Sequence, residues 1–164
     1  MQLLIIRHGT AEEASANGDD ASRSLTKAGK KEMKEVTAGL ETIVDSIDAI
    51  AASPLLRAQQ TAEIVAKAYD GLSVDTVDAL RPESDPGALG DWLGEQASAE
   101  VVAVVGHEPH LGLLVTWFMT GAGNSRVALS KGGVALIEFS SRVSGSSGTL
   151  QWLLTKSQLR RLRK

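Results

Sequence analysis

VVAVVGHEPHLGLLVTWFMT, Val101 to Thr120, sets the fold class. Val101 to Gly106 is an unbroken apolar run closed by glycine, the pattern of a strand buried on both faces rather than one facing water. Pro109 then opens an almost wholly apolar helix from Leu111 to Thr120, since proline is tolerated in a first helical turn. A strand buried on both faces and followed at once by a core helix is the unit of a parallel sheet covered by helices.

The same unit recurs outward from this stretch. Gln2 to Ile6 is a second continuous apolar strand, broken at Gly9, and Glu12 to Ser24 is aperiodic and reads as a flexible surface excursion. Thr26 caps a helix in which Met33, Val36, Leu40 and Ile43 form an apolar stripe. Ile47 to Ala52 reads as a strand, followed by a helix start at Pro54 and an amphipathic run through Ala58, Ala62, Val65 and Tyr69. Leu72 to Val77 is a weaker strand. Leu80 to Gly90 stays out of helix until about Pro86, where Asp85 is placed to cap a short helix through Trp92 and Leu93. Finally GGVALIEFS and TLQWLLT are two strands joined by RVSGSSG, a hairpin composition. The expectation is an α/β fold: a three-layer α/β/α sandwich with a mostly parallel central sheet, an antiparallel C-terminal strand addition, and one domain over residues 1–164.

Composition narrows the function. With 164 residues, 43% hydrophobic and 23% charged, the chain has the make-up of a folded globular protein. A net charge of −3 gives no electrostatic reason to expect nucleic acid or an anionic membrane as partner. The basic run LRRLRK, Leu159 to Lys164, reads as a solvated helix end or frayed tail. The absence of cysteine excludes disulfides, a thiol nucleophile and thiolate metal sites. The N-terminal apolar run is short and has no basic region before it, unlike a signal peptide or membrane span, so a cytoplasmic location is expected.

In open α/β sheets ligands bind beyond the carboxyl ends of the strands. Arg7 and His8 follow the first strand, Arg57 lies just after the second, and His107 follows Gly106. Taken singly, Arg57 reads as an ordinary first-turn arginine, and the histidines as satisfied polar groups at strand ends. Together, two guanidiniums and two imidazoles suit one guest, a phosphoryl group. Helix N-termini near Gly9 and Pro109 would add backbone donors for the same anion.

RHGTA, SPLLRAQQTA at Ser53 to Ala62, and VGHEPHL at Val105 to Leu111 occur together and in the order found in the histidine phosphatase superfamily. LTKAG at Leu25 to Gly29 resembles a fourth block, and the likeness is closest to SixA-like phosphohistidine phosphatases. The resemblance implies a nucleophilic His8 that becomes phosphorylated. Arg7, Gly9, Arg57 and a protonated His107 would bind the phosphoryl oxygens, with no metal and no cofactor. It also implies a phosphohistidine-bearing protein as partner, a phosphotransfer domain or phosphocarrier, acted on by a monomer. Two other readings stay open: a phosphatase of small phosphate esters or anhydrides, and a non-catalytic phosphate-binding regulatory module.

Leaving groups separate the first two readings. An alkoxide needs a general acid, whereas imidazole, with a conjugate acid of pKa about 6.5, leaves with little help. In the superfamily such an acid comes from a segment inserted before the second histidine, which here is too short for a lid. Glu83 is the candidate acid. Glu108 reads as a first-turn residue favoured by the helix dipole, and His110 as partly exposed.

Overall fold

A computed structural model describes residues 1–163; Lys164, the last residue of the basic run, lies outside the described residues. Six strands form one sheet: β1 (Gln2–Arg7), β2 (Ala49–Ala52), β3 (Val74–Thr76), β4 (Val101–Gly106), β5 (Val134–Phe139) and β6 (Gly148–Leu154). Their order is β3-β2-β4-β1-β5-β6. The first four of these are mutually parallel, β5 runs antiparallel to β1, and β6 antiparallel to β5. The expected α/β architecture with an antiparallel C-terminal addition is what the chain adopts.

Alternation along the strands explains why the apolar runs are unbroken. Leu4, Ile6, Ala103 and Val105 face a core closed by α1 (Lys27–Leu40), α2 (Leu56–Ala68) and α5 (Lys156–Leu162). Leu3, Ile5, Val102 and Val104 face the opposite core, closed by α3 (Pro86–Glu95) and α4 (His110–Thr120). Each central strand is therefore apolar on both sides.

Several local signals act as read. The Thr26 side chain accepts from Gly29 N–H at 2.8 Å, and Asp85 accepts from Gly87 N–H at 2.7 Å. Gly29 is required for close approach, because a Cβ there would sit 2.1 Å from the carbonyl oxygen of Thr10.

Three expectations need correction. Helix α1 ends at Leu40, so Ile43 loses the helical phase and is 42% exposed, while Val44 and Ile47 turn into the core in its place. Helix α2 begins at Leu56, two residues after the proline. Through Arg163 the basic run is the helix end of the two expected forms and not the frayed tail: a capping box at Thr155 starts α5, whose Leu159 is fully buried. Arg160 and Arg163 reach Glu35 on α1 at 2.5 and 2.9 Å.

Candidate active site

The carboxyl ends of β1 and β4 lie side by side, with Arg7 in register with Gly106, so the residues that follow each strand emerge at one place. The rings of His8 and His107 lie 5.0 Å apart, tilted by 54°. The positive charges of Arg57, Arg7 and Lys131 all bear on His8. Residues separated by most of the chain thus converge on one imidazole.

His8 is fixed in a single useful tautomer. Its Nδ1 lies 2.7 Å from the carbonyl oxygen of Gly9, so Nδ1–H donates and Nε2 keeps its lone pair. Burial, reinforced by the neighbouring cations, lowers its pKa to about 4, and the ring is neutral at pH 7. A buried neutral imidazole with a free Nε2 is a nucleophile.

Around it stand donors with nothing to donate to. Arg7 gives one terminal N–H to the carbonyl of Leu129 at 2.6 Å, and Arg57 gives both terminal nitrogens to Asp20. The Nε atoms of both arginines and both ring nitrogens of His107 are buried without a partner among the described residues. The unpaired donors among them, the two arginine Nε–H groups and the single N–H of a neutral His107, cost about 1–3 kcal/mol each, a cost that a tetrahedral oxyanion within their reach would offset.

Sequence reasoning missed four contributors. Asp20, on the aperiodic segment before α1, holds Arg57 and is itself held by Arg23 at 2.8 Å. Thr61, fully buried on α2, accepts from Gly9 N–H at 3.1 Å and donates to the Arg57 carbonyl at 2.7 Å. It was inside the quoted SPLLRAQQTA block, but nothing local gives away its partner. Lys131, exposed in the connection before β5, extends the positive field over His8. His110 is the fourth: it is 2% exposed, not partly exposed.

The geometry also revises expected roles. No helix starts near Gly9; its N–H goes to Thr61 and its carbonyl to His8, so neither group is free for substrate. Gly9 is there because a Cβ would meet Met33 at 2.6 Å. His107, expected protonated, is neutral, since burial, with its closeness to the titrating His8 ring and to the Arg57 charge, lowers its pKa to about 3. Glu108 lies in the turn before α4 and not in its first turn, and it accepts from Leu129 N–H at 2.8 Å, tying the connection before β5 to that turn. Glu83 is exposed and lines one cavity together with His110, on whose ring its charge bears. Among the described residues no group of three or more His, Cys, Asp or Glu is placed to hold a metal ion, and no helix is long and apolar enough to cross a membrane.

The model of the histidine phosphatase superfamily (branch 1) matches residues 3–98, more than half of the chain. The chain belongs to this superfamily. This histidine phosphatase is 33% identical to an uncharacterized protein of Picosynechococcus sp. over 158 residues, covering 94% of this chain and 96% of that one. It is 29% identical to the phosphohistidine phosphatase SixA of Escherichia coli (strain K12) over 163 residues, 98% of this chain and 97% of that one. The solved structure of the protein histidine phosphatase SixA complexed with tungstate superposes with a TM-score of 0.83 at 27% identity, covering 97% of this histidine phosphatase and 99% of that chain.

Proposed function

We propose that this phosphatase removes the phosphoryl group from phosphohistidine on a protein, through a covalent phosphohistidine on its own His8. The observation that carries the reading is the commitment of the carboxylates around the site. Asp20 lies between two guanidiniums that hold its pKa below the ordinary carboxylate range. Glu108 is tied to Leu129, and Glu83 is exposed in the lining of a neighbouring cavity that Arg7, His8, Arg57 and His107 do not line. None is poised to protonate an alkoxide, and an imidazole leaving group needs no such acid.

In the first step Nε2 of His8 attacks phosphorus. The substrate N–P bond breaks with the other nitrogen of that ring protonated, so its electron pair stays on the departing nitrogen and a neutral imidazole leaves. The Nε atoms of Arg7 and Arg57, with His107, donate to the equatorial oxygens as charge redistributes. The phosphoryl charge itself favours protonation of His107, reversing the balance that keeps the ring neutral. Water then attacks phospho-His8, releasing inorganic phosphate and restoring the neutral ring. The similarity to SixA, whose solved complex holds the tetrahedral oxyanion tungstate, supports this assignment. A cytoplasmic phosphotransfer domain or phosphocarrier is the class of partner that fits.

The test is a side-by-side assay on a phosphohistidine protein, a phosphoserine ester, a sugar phosphate and a nucleotide. The kcat/KM for the phosphohistidine protein is expected to exceed the others by orders of magnitude. Equal values would instead assign the site to small phosphate esters.

A further inference from the structure

A cavity of about 290 Å³ opens between the loop preceding α3 and the start of α4. Glu83 lines it from the loop, His110 from α4, and Asn124 from the connection before β5. His110 is 2% exposed, yet neither ring nitrogen has a hydrogen-bond partner. The carboxylates of Glu83 and Asp85 are the charges that bear on its ring. An unpaired buried imidazole is costly, and buried polar groups are otherwise almost always satisfied, so its place in the wall of a cavity points to a ligand.

The cavity adjoins the catalytic centre. His110 follows His107 by three residues, and the two rings are close enough to influence each other electrostatically. Its volume falls just below the range of about 300–1,000 Å³ typical of small-molecule pockets, which suits one side chain rather than a whole second substrate. Its chemistry selects the sign: the Glu83 carboxylate in its lining and an imidazole acceptor in its wall repel an anion and attract a cation that carries N–H donors.

We propose that this cavity is a substrate subsite that receives an arginine or lysine side chain of the phosphoprotein lying near its phosphohistidine. The inference rests on the phosphohistidine reading above. Glu83 takes the cationic head, by a forked pair where it is arginine, and His110 accepts a further N–H.

The test uses phosphohistidine peptides in which one arginine is stepped along either side of the phosphohistidine, with alanine in its place as reference. At one or more positions kcat/KM is expected to exceed the alanine reference by roughly tenfold. In Glu83→Gln, which keeps the shape and removes the charge, that ratio is expected to fall to near one, and in His110→Leu to fall as well. Each ratio is taken within one protein, so lost folding or catalysis does not imitate the effect. A ratio near one at every position in the parent protein, or one that survives Glu83→Gln, overturns the proposal. A binding readout needs no turnover: the NMR ring resonances of His110 are expected to shift on titration with the unphosphorylated arginine peptides and not with the alanine peptide. No shift overturns the subsite. If no phosphohistidine peptide is hydrolysed, the proposed function fails, and the resonance titration decides the subsite alone.

Discussion

Asp20 grips both terminal nitrogens of Arg57, its carbonyl 2.9 Å from one and its carboxylate 3.1 Å from the other. A guanidinium is planar, so fixing two nitrogens fixes the direction in which the third, the buried Nε, can donate. An exposed residue in a single 3-10 turn, Asp20–Ser22, therefore aims an arginine in the site. Asp20→Ala is expected to lower kcat/KM about tenfold by misdirecting Arg57. Arg57→Ala is expected to cost about 10²–10³-fold. The Asp20 carboxylate is 65% exposed, so its ion pair adds under about 1 kcal/mol and the thermal midpoint should barely move. Steady-state kinetics beside thermal melts check both; unchanged kinetics in Asp20→Ala would remove it from the positioning role.

His8 is the proposed acceptor of the phosphoryl group, because its Nδ1–H is committed to Gly9 and only Nε2 is left to attack. Rapid quench in alkaline detergent with a ³²P-labelled phosphohistidine substrate, followed by separation of the two proteins by size, is expected to trap label on the phosphatase, unstable to acid and stable to base. His8→Ala should show neither the label nor turnover. Label that persists in His8→Ala would place the nucleophile elsewhere.

Much of this was legible in the chain because local physics writes it there. Apolar runs mark β1 and β4, and the glycines that close them hand Arg7, His8 and His107 to the end of the sheet where ligands bind. What stayed hidden depends on partners distant in sequence. Asp20 sits in an aperiodic segment and meets Arg57 37 residues later. The last helix looks like a basic tail until its arginines are seen against Glu35, 125 residues earlier. His110 looks exposed because a polar residue in a first helical turn usually is, and only the packing of α4 against the loop before α3 encloses it.

Thr61 is the joint between two catalytic segments, since one hydroxyl accepts from Gly9 N–H and donates to the carbonyl of Arg57. Thr61→Val keeps the shape and removes both bonds, leaving a buried N–H unpaired. The expected loss of stability is about 1–3 kcal/mol by urea unfolding. A fall in kcat is expected as well, since Gly9 also orients the ring of His8. Thr61→Ser, which keeps the hydroxyl, should recover most of the activity. If Val and Ser variants behave alike, the hydroxyl does not position His8.

Acid should unfold this protein earlier than its ion pairs alone would suggest. His8 and His107 fold with pKa values of about 4 and about 3, well below the ordinary 6.5 of an unfolded imidazole. Burial lowers that of His110 too. Between these values the unfolded chain binds protons that the folded one refuses. The stability tied to the neutral rings is therefore fully present above about pH 6.5 and is lost as pH falls, at up to about 1.4 kcal/mol per pH unit for each ring. The paired carboxylates of Asp20, Glu32 and Glu35 have lowered pKa values, so their contribution fades only at lower pH, below the carboxylate range near about 4. Urea unfolding between about pH 7 and pH 5 consequently isolates the histidines. The slope there is expected to correspond to more than one proton and to drop by about one in His107→Gln. A flat profile would mean that these rings are not held neutral, and the nucleophile proposed for His8 would lose its basis.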